Sequence, residues 1–372
     1  ANKSEVTFYR LDGVSTDATN DFMAIATLGG LAIAGTGDPL SAAGLAWQPV
    51  VGIVHAFVAL EDKVGMGARV WHVVLGPQSN LPKPSAVSGL TDGYSASPFV
   101  YPSALYAGNQ PYAAWINADG SVALSDGTSA MPQKLAVGAD ATTVSLLLYD
   151  DNTSPAVLYT LGGGGVVVEA PGIPPNPLAE CQPAPGDYLS SSATYTNIPG
   201  VWLGGWTKYG SGYLTTNGRA LWCSAADMKS GMGCRSDTNP CPDDSEANLA
   251  RNPATVVVHR PGDATTLMEV VQATPVITTD GTNITASILL TQQSVDLGPV
   301  PLQSKTVTKS IGDPITLASA PTTSDDYAGP DWPAVAFVPP DRFAVAWTEP
   351  AAAGPGDELR VQRYKMCLPA PN

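Results

Sequence analysis

The 372-residue chain carries 33 acidic against 18 basic side chains, a formal charge of -15, with charged residues making only 14% of the whole. A surface of that sign repels phosphate backbones and anionic headgroups, which argues against nucleic acid as a partner. Gly 37 and Pro 34 are scattered between apolar runs, the composition of a turn-rich β protein large enough for one big domain.

The opening "ANKSEVTFYR" has neither a basic n-region nor an apolar h-region, which fits a mature exported chain whose signal has been removed. The run "EVTFYRL" (5–11) lacks a partner nearby, whereas "FMAIATLGGLAIAG" (22–35) reads as a hairpin. Next comes 39–60, "PLSAAGLAWQPVVGIVHAFVAL", 22 residues without a charged side chain. Its length would span a bilayer, but Gln48, Pro49 and His55 interrupt it and the β-branched residues of "VVGIVHAFVAL" (50–60) suit a buried strand, so no membrane span is expected.

From there a common grammar runs down the chain: short apolar runs joined by Gly-, Asp- or Asn-containing turns. It appears at 48–75, at 101–125 with Gly-Asn and Asp-Gly turns, at 142–170 with "DDNTS" and "GGGG", at 201–224, at 274–304 and at 333–350. In the last copy, Phe343, Val345 and Trp347 alternate with Ala344 and Ala346, so both faces of that strand read as covered; "ELRVQRYK" (358–365) alternates apolar with charged and reads as half solvated. Phe57, Trp115, Tyr159, Leu290 and Trp347 mark the same place late in the second strand of their units.

Six units of 62 residues fill the chain, and seven fit if 22–35 or "ATVVVHRP" (254–261) stands alone. Repeated four-stranded meanders of this size predict one all-β propeller over 1–372, six-bladed by the division of length, with the N-terminal strand closing the last blade and removing two sheet edges. Tandem β-sandwiches are the alternative. The "AVAW" and "AAW" strands resemble those of secreted bacterial β-propellers, while the Asp-box of sialidases and the Gly-His to Trp-Asp signature of WD40 repeats are absent.

Five cysteines, Cys181, Cys223, Cys234, Cys241 and Cys367, contain no C-x-x-C pair. Their cluster within an insertion at about 223–250 reads as a disulfide-stapled loop in an oxidising, extracellular or cell-surface setting, with one cysteine left over. Asp237, Asp243 and Asp244 sit in the same loop, where constrained carboxylates are a candidate Ca2+ site, although the spacing is not that of an EF-hand.

Chemistry is harder to find. Histidines number three; His55 and His72 lie in apolar strands and read as hydrogen-bonded core residues, and His259 as the one facing solvent. No nucleophile elbow, zinc-protease helix or Walker loop occurs. Glu169 and Glu349 follow buried strands, where a propeller-type glycoside hydrolase or lyase would place an acid. Trp202, Trp206, Tyr209, Tyr213 and Trp222 gather aromatic rings among Gly, Thr and Asn, a composition suited to stacking on a neutral sugar or peptide. The expected role is therefore a non-enzymatic binding module for a glycan or protein partner. A self-associating subunit of a surface layer or filament is the second expectation, and an enzyme the third.

Overall fold

The computed structural model describes residues 5–11, 22–29, 36–39, 44–48, 50–62, 67–75, 84–86, 102–127, 132–148, 154–161, 166–177, 188–195, 201–209, 219–224, 235–236, 249–250, 254–258, 267–280, 283–296, 307–322, 329–338, 341–351 and 357–366. Strands before Gly44 and between 188 and 250 are described by their backbone alone.

These residues are all-β, in seven largely antiparallel sheets whose strands follow chain order. Sheet 1 pairs β1 (Glu5–Leu11) with β2 (Phe22–Gly29). Sheet 2 holds β3 (Thr36–Pro39), β4 (Gly44–Gln48), β5 (Ile53–Asp62), β6 (Gly67–Leu75) and β7 (Pro84–Ala86), with β3 and β4 both on the edge of β5. Sheet 3 is the meander β8 (Ser103–Ala107), β9 (Gln110–Ile116), β10 (Val122–Ser125) and β11 (Gln133–Leu135). Sheet 4 follows with β12 (Ala141–Leu148), β13 (Pro155–Leu161), β14 (Val166–Ala170) and β15 (Ile173–Pro177).

Sheet 5 contains β16 (Tyr188–Tyr195), β17 (Val201–Tyr209), β18 (Arg219–Ser224) and β19 (Arg235–Ser236). In sheet 6, short strands β20 (Leu249–Ala250) and β21 (Ala254–Val258) flank β22 (Leu267–Asp280). On its other side β24 (Val307–Ser310) and β25 (Ile315–Thr322) flank β23 (Asn283–Asp296). Sheet 7 is β26 (Asp331–Val338), β27 (Arg342–Pro350) and β28 (Asp357–Lys365). Sheets built of consecutive up-and-down strands have the order of propeller blades, as the repeat predicts. Among the described residues no pairing makes the crossover that a Greek-key sandwich uses.

Turn chemistry sets the registers. Gly108 and Asn109 both have positive φ, 53° and 66°, which is the type I′ geometry that joins Ala107 to Gln110 without splaying β8 and β9. Gly120, at φ 77°, closes the β9–β10 turn, where Asn117 N donates to Ser121 O at 2.8 Å. Asp119 accepts from Ser121 N at 3.0 Å and from Lys134 Nζ; these contacts, Lys134 first and Ser121 next, pull its carboxyl down to about 2.

The chain divides into two compact units. One comprises 1–146, 153–159 and 169–175; the other comprises 147–152, 160–168 and 176–372. In the first, the core on one face of sheet 2 is Ala56, Val58, Leu60, Val73 and Leu75. In the second, Phe343, Val345 and Trp347 of β27 pack with Val258, Val271, Ala273, Ile288 and Leu290 of sheet 6. Burying side chains of this size is worth about 1.5–3 kcal/mol each, which makes these faces the main attractive term. The five marker residues Phe57, Trp115, Tyr159, Leu290 and Trp347 are all buried.

Two expectations need correcting. The N-terminal strand does not complete the last sheet; it pairs with β2 from Glu5↔Gly29 to Leu11↔Phe22, because a partner ten residues away costs little loop-closure entropy. The strand β27 is not covered equally on both sides: Ala344 and Ala346 are half-exposed while Phe343, Val345 and Trp347 are buried. The apolar segment 39–60 divides: His55 to Leu60 of β5 are buried, as the β-branched run 50–60 predicts, whereas β4 alternates buried and exposed and leaves Leu45 and Trp47 at 56% and 55% exposure. Among the described residues no helix is long and apolar enough to cross a membrane.

Candidate functional site

The aromatic stretch falls on sheet 5. Trp202 lies opposite Tyr195 on β16 and Cys223 on β18, and Trp206 opposite Ser191 and Arg219. Tyr209 ends β17 opposite Tyr188, while Trp222 lies opposite Leu203 and Arg235. The register thus separates the set: Trp202 and Trp206 occupy positions of one parity on β17, and Trp222 aligns with the other. Tyr213, the acidic residues Asp237, Asp243 and Asp244, and the cysteines Cys181, Cys234, Cys241 and Cys367 lie outside the described residues, as does His259. Among the described residues no cluster of three or more His, Cys, Asp or Glu side chains is placed to hold a metal ion.

The two strand-end acids are engaged in structural contacts. Glu169 Oε2 accepts from Tyr159 Oη at 3.1 Å and from the backbone N of Ala136 at 3.0 Å. Glu349 accepts from Trp347 Nε1 at 3.2 Å and from Arg360 Nε at 2.6 Å, while Arg360 also reaches Glu358 at 2.8 Å. Both carboxylates are thus committed to hydrogen bonds within their own sheets or the neighbouring turn.

Trp332 is a different kind of feature. It has φ 54°, a left-handed conformation that bulky residues rarely adopt, and it is 47% exposed. Two observations account for how the conformation is held. The register of β26 against β27 slips between Asp331 and Ala334, a bulge that re-aims the chain. Asp331, itself buried, accepts from Trp332 N through Oδ1 at 2.8 Å, and its carbonyl accepts from Thr348 Oγ1 at 3.2 Å. Pro333 follows and narrows the conformations open to Trp332 still further. Such an outlier costs about 1–3 kcal/mol, and the strain goes into holding an indole at the surface. The sequence signal was "DWP", a tryptophan placed between an acid and a proline just ahead of the alternating run, which a search for clustered aromatics passes over.

A second polar constellation joins sheets 2 and 3 in the first unit. His55 Nδ1 and His72 Nε2 are 2.9 Å apart, and His55 Nε2 lies 3.1 Å from Gln48 Oε1. Phe57, the cross-strand partner of His72, stacks on it with ring centroids 4.7 Å apart; Tyr106 of β8 stacks on His55 at 5.8 Å. Both histidines are buried, as expected of core residues. Burial lowers the pKa of each; for His72, burial and then the neighbouring His55 bring it to about 4 against an opposing hydrogen bond to the backbone of Gly127.

No family model and no curated protein matches the chain. Among solved structures, a fungal lectin from Aleuria aurantia, described as a six-bladed β-propeller with a fucose recognition mode, is 14% identical, with 88% of this chain and 97% of that one covered and a TM-score of 0.42. An arginine-substituted mutant of AofleA from Arthrobotrys oligospora is 11% identical over 98% of this chain and 88% of that one, with a TM-score of 0.44. The catalytic domain of the GH62 alpha-L-arabinofuranosidase of Coprinopsis cinerea is 11% identical over 73% and 90%, with a TM-score of 0.30. Likenesses at these TM-scores carry no argument about what this chain binds.

Proposed function

We propose that the protein is a secreted or cell-surface binding module, a single propeller over 1–372 that takes a neutral glycan or a peptide on exposed aromatic rings and performs no chemistry on it. The observation that carries this reading is Trp332, whose indole is held at the surface by a strained backbone, a bulge and a buried carboxylate. Flat rings bind sugar faces by removing apolar area while polar neighbours fix orientation. Trp202, Trp206, Tyr209, Tyr213 and Trp222 are the further aromatic candidates. Calcium at Asp237, Asp243 and Asp244 belongs to the same reading as an accessory to binding, in a loop stapled through Cys223, Cys234 and Cys241 with Cys181 and Cys367 as further disulfide candidates.

The test is a glycan and peptide array probed with the purified chain, its Trp332→Ala variant and its Trp206→Ala variant, each with calcium and with EDTA. Binding lost in Trp332→Ala with the melting temperature held supports the reading, and undiminished binding in both variants sinks it. Loss in EDTA alone assigns the acidic loop.

The second reading, a self-associating subunit, is favoured by sheet 7: Ala334, Ala336 and Leu359 are exposed on its strands. Particle size in solution distinguishes it, because a monomer at high concentration excludes assembly through that sheet.

A further inference from the structure

His55 and His72 sit in one run of hydrogen bonds whose donors and acceptors match in only some protonation states. His72 Nε2 faces His55 Nδ1 at 2.9 Å, so the other ring nitrogen, Nδ1, is left for the backbone of Gly127. A contact there that favours the protonated ring is a carbonyl acceptor, which fixes the proton on Nδ1 and leaves Nε2 with a lone pair. His72 Nε2 then accepts from His55 Nδ1–H. In the neutral pair His55 Nε2 also carries a lone pair, and the group that faces it is the acceptor Gln48 Oε1 at 3.1 Å, a place made for a proton. One added proton goes to His55 Nε2, which then donates to Gln48 Oε1 across 3.1 Å with no rearrangement. The singly protonated pair satisfies every group in the run.

A second proton has no such place. The remaining lone pair is His72 Nε2, and protonating it sets two N–H groups against each other across 2.9 Å with no acceptor between. Among the described residues no carboxylate raises the pKa of either ring. The titratable groups on the packed elements are Tyr106 of β8, Tyr112 of β9, Asp126 beside Gly127, and exposed Glu61 on the same face of β5; Asp126 acts on Tyr112, whose phenol it helps push up.

From this geometry we infer that the His55–His72 pair is an acid-sensitive latch between sheets 2 and 3: it holds them while neutral or singly protonated and releases them when both rings are charged. The rings form part of the packing between the sheets, in the stacked order Phe57, His72 and His55 of sheet 2 and Tyr106 of sheet 3. Beside the rings the backbones of the two sheets approach closely at Gly44. A Cβ there would lie 2.3 Å from Pro102 O, while one on Gly127, on the sheet 3 side, would lie 3.4 Å from Phe57 Cζ of sheet 2. With so little free space, a doubly charged pair is hydrated only by parting the sheets. The low pKa of both rings is the cost of that hydration seen from the closed side. Gln48, which accepts the hydrogen bond of the first proton, ends the strand that carries exposed Leu45 and Trp47, with exposed Val50 and Val51 in the turn beyond.

The experiment follows the imidazole 15N shifts and the amide protection factors of β8 and β10 in the intact chain from pH 7.5 to 4, with protection corrected for intrinsic exchange. The latch requires two titration steps, the second accompanied by an at least tenfold loss of protection in those strands. Gln48→Leu merges the steps into one, and His72→Phe, which keeps the ring stack, removes the protection loss. Both rings becoming charged with protection unchanged overturns the inference, as does a protection loss that persists in a folded His72→Phe. If that variant does not fold, the wild-type titration and Gln48→Leu decide the matter alone.

Discussion

Tyr159 on β13 donates its hydroxyl to Glu169 on β14 at 3.1 Å, and the same carboxylate oxygen accepts the backbone N–H of Ala136, 33 residues earlier in the chain. A single carboxylate thus ties the end of sheet 3 to a strand pair of sheet 4 within the first unit. Burial first, and the Glu169 charge next, push the Tyr159 phenol up. Tyr159→Phe removes one of two donors and is expected to cost about 1 kcal/mol, whereas Glu169→Ala orphans a buried hydroxyl and a backbone N–H and is expected to cost about 2–3 kcal/mol. Urea denaturation measures both. In Glu169→Gln the charge is gone, so spectrophotometric titration brings Tyr159 into ionisation at lower pH than in the wild type; no change there removes Glu169 as the cause.

Gly44 is set by space instead of conformation. An alanine in its place would drive a methyl to 2.3 Å from the carbonyl oxygen of Pro102, a backbone atom with no rotamer to change. Gly44→Ala is therefore expected to destabilise the first unit by about 1–3 kcal/mol by forcing β4 off β8. The same displacement loosens the stack on Tyr106, so the imidazole of His55 moves back toward its ordinary pKa. A stable Gly44→Ala with unshifted histidines contradicts the close approach.

The repeat was legible because strand alternation and turn residues are local: Gly108-Asn109 announces a hairpin whatever surrounds it, and the buried markers Trp115 and Trp347 follow from their place in an apolar run. The N-terminal strand was misread because pairing choice is a competition between partners, and the loop-closure term favours a near strand that no alternation pattern reveals. Trp332 was missed for a related reason. Its role lies in a backbone angle and a register slip, and neither is written in hydrophobic periodicity. The acids Glu169 and Glu349 were picked from their position after buried strands, but their hydrogen-bond partners come from residues up to 33 positions away.

Stability should fall in mild acid, with a sign that follows from His72. Its folded pKa is lowered from 6.5 to about 4, so between those values the unfolded chain takes up a proton that the folded chain refuses. The stabilisation is complete above pH 6.5, declines as pH drops through the window and is gone below about 4. Urea midpoints at pH 7.5, 5.5 and 4 should step downward in the wild type and step less in His72→Phe, since Phe has no proton to gain. Equal slopes in the two proteins would assign the acid sensitivity to other groups.

Trp332 offers the sharpest separation of stability from binding. A left-handed φ of 54° is costly for tryptophan and free for glycine, so Trp332→Gly relieves strain that the bulge and Asp331 now impose. Because the residue is 47% exposed, about half of its surface has no packing to lose in exchange. The expected outcome is a variant as stable as the wild type or more stable by about 1 kcal/mol, set against the extra backbone entropy of glycine in the unfolded chain. Asp331→Ala should do the reverse, since it leaves the strained backbone without its hydrogen bond and removes a buried side chain. Thermal denaturation of the two variants reads the difference. A marked loss of stability in Trp332→Gly would mean that the ring packs where it stands, and the binding role built on its exposure would fall with that result.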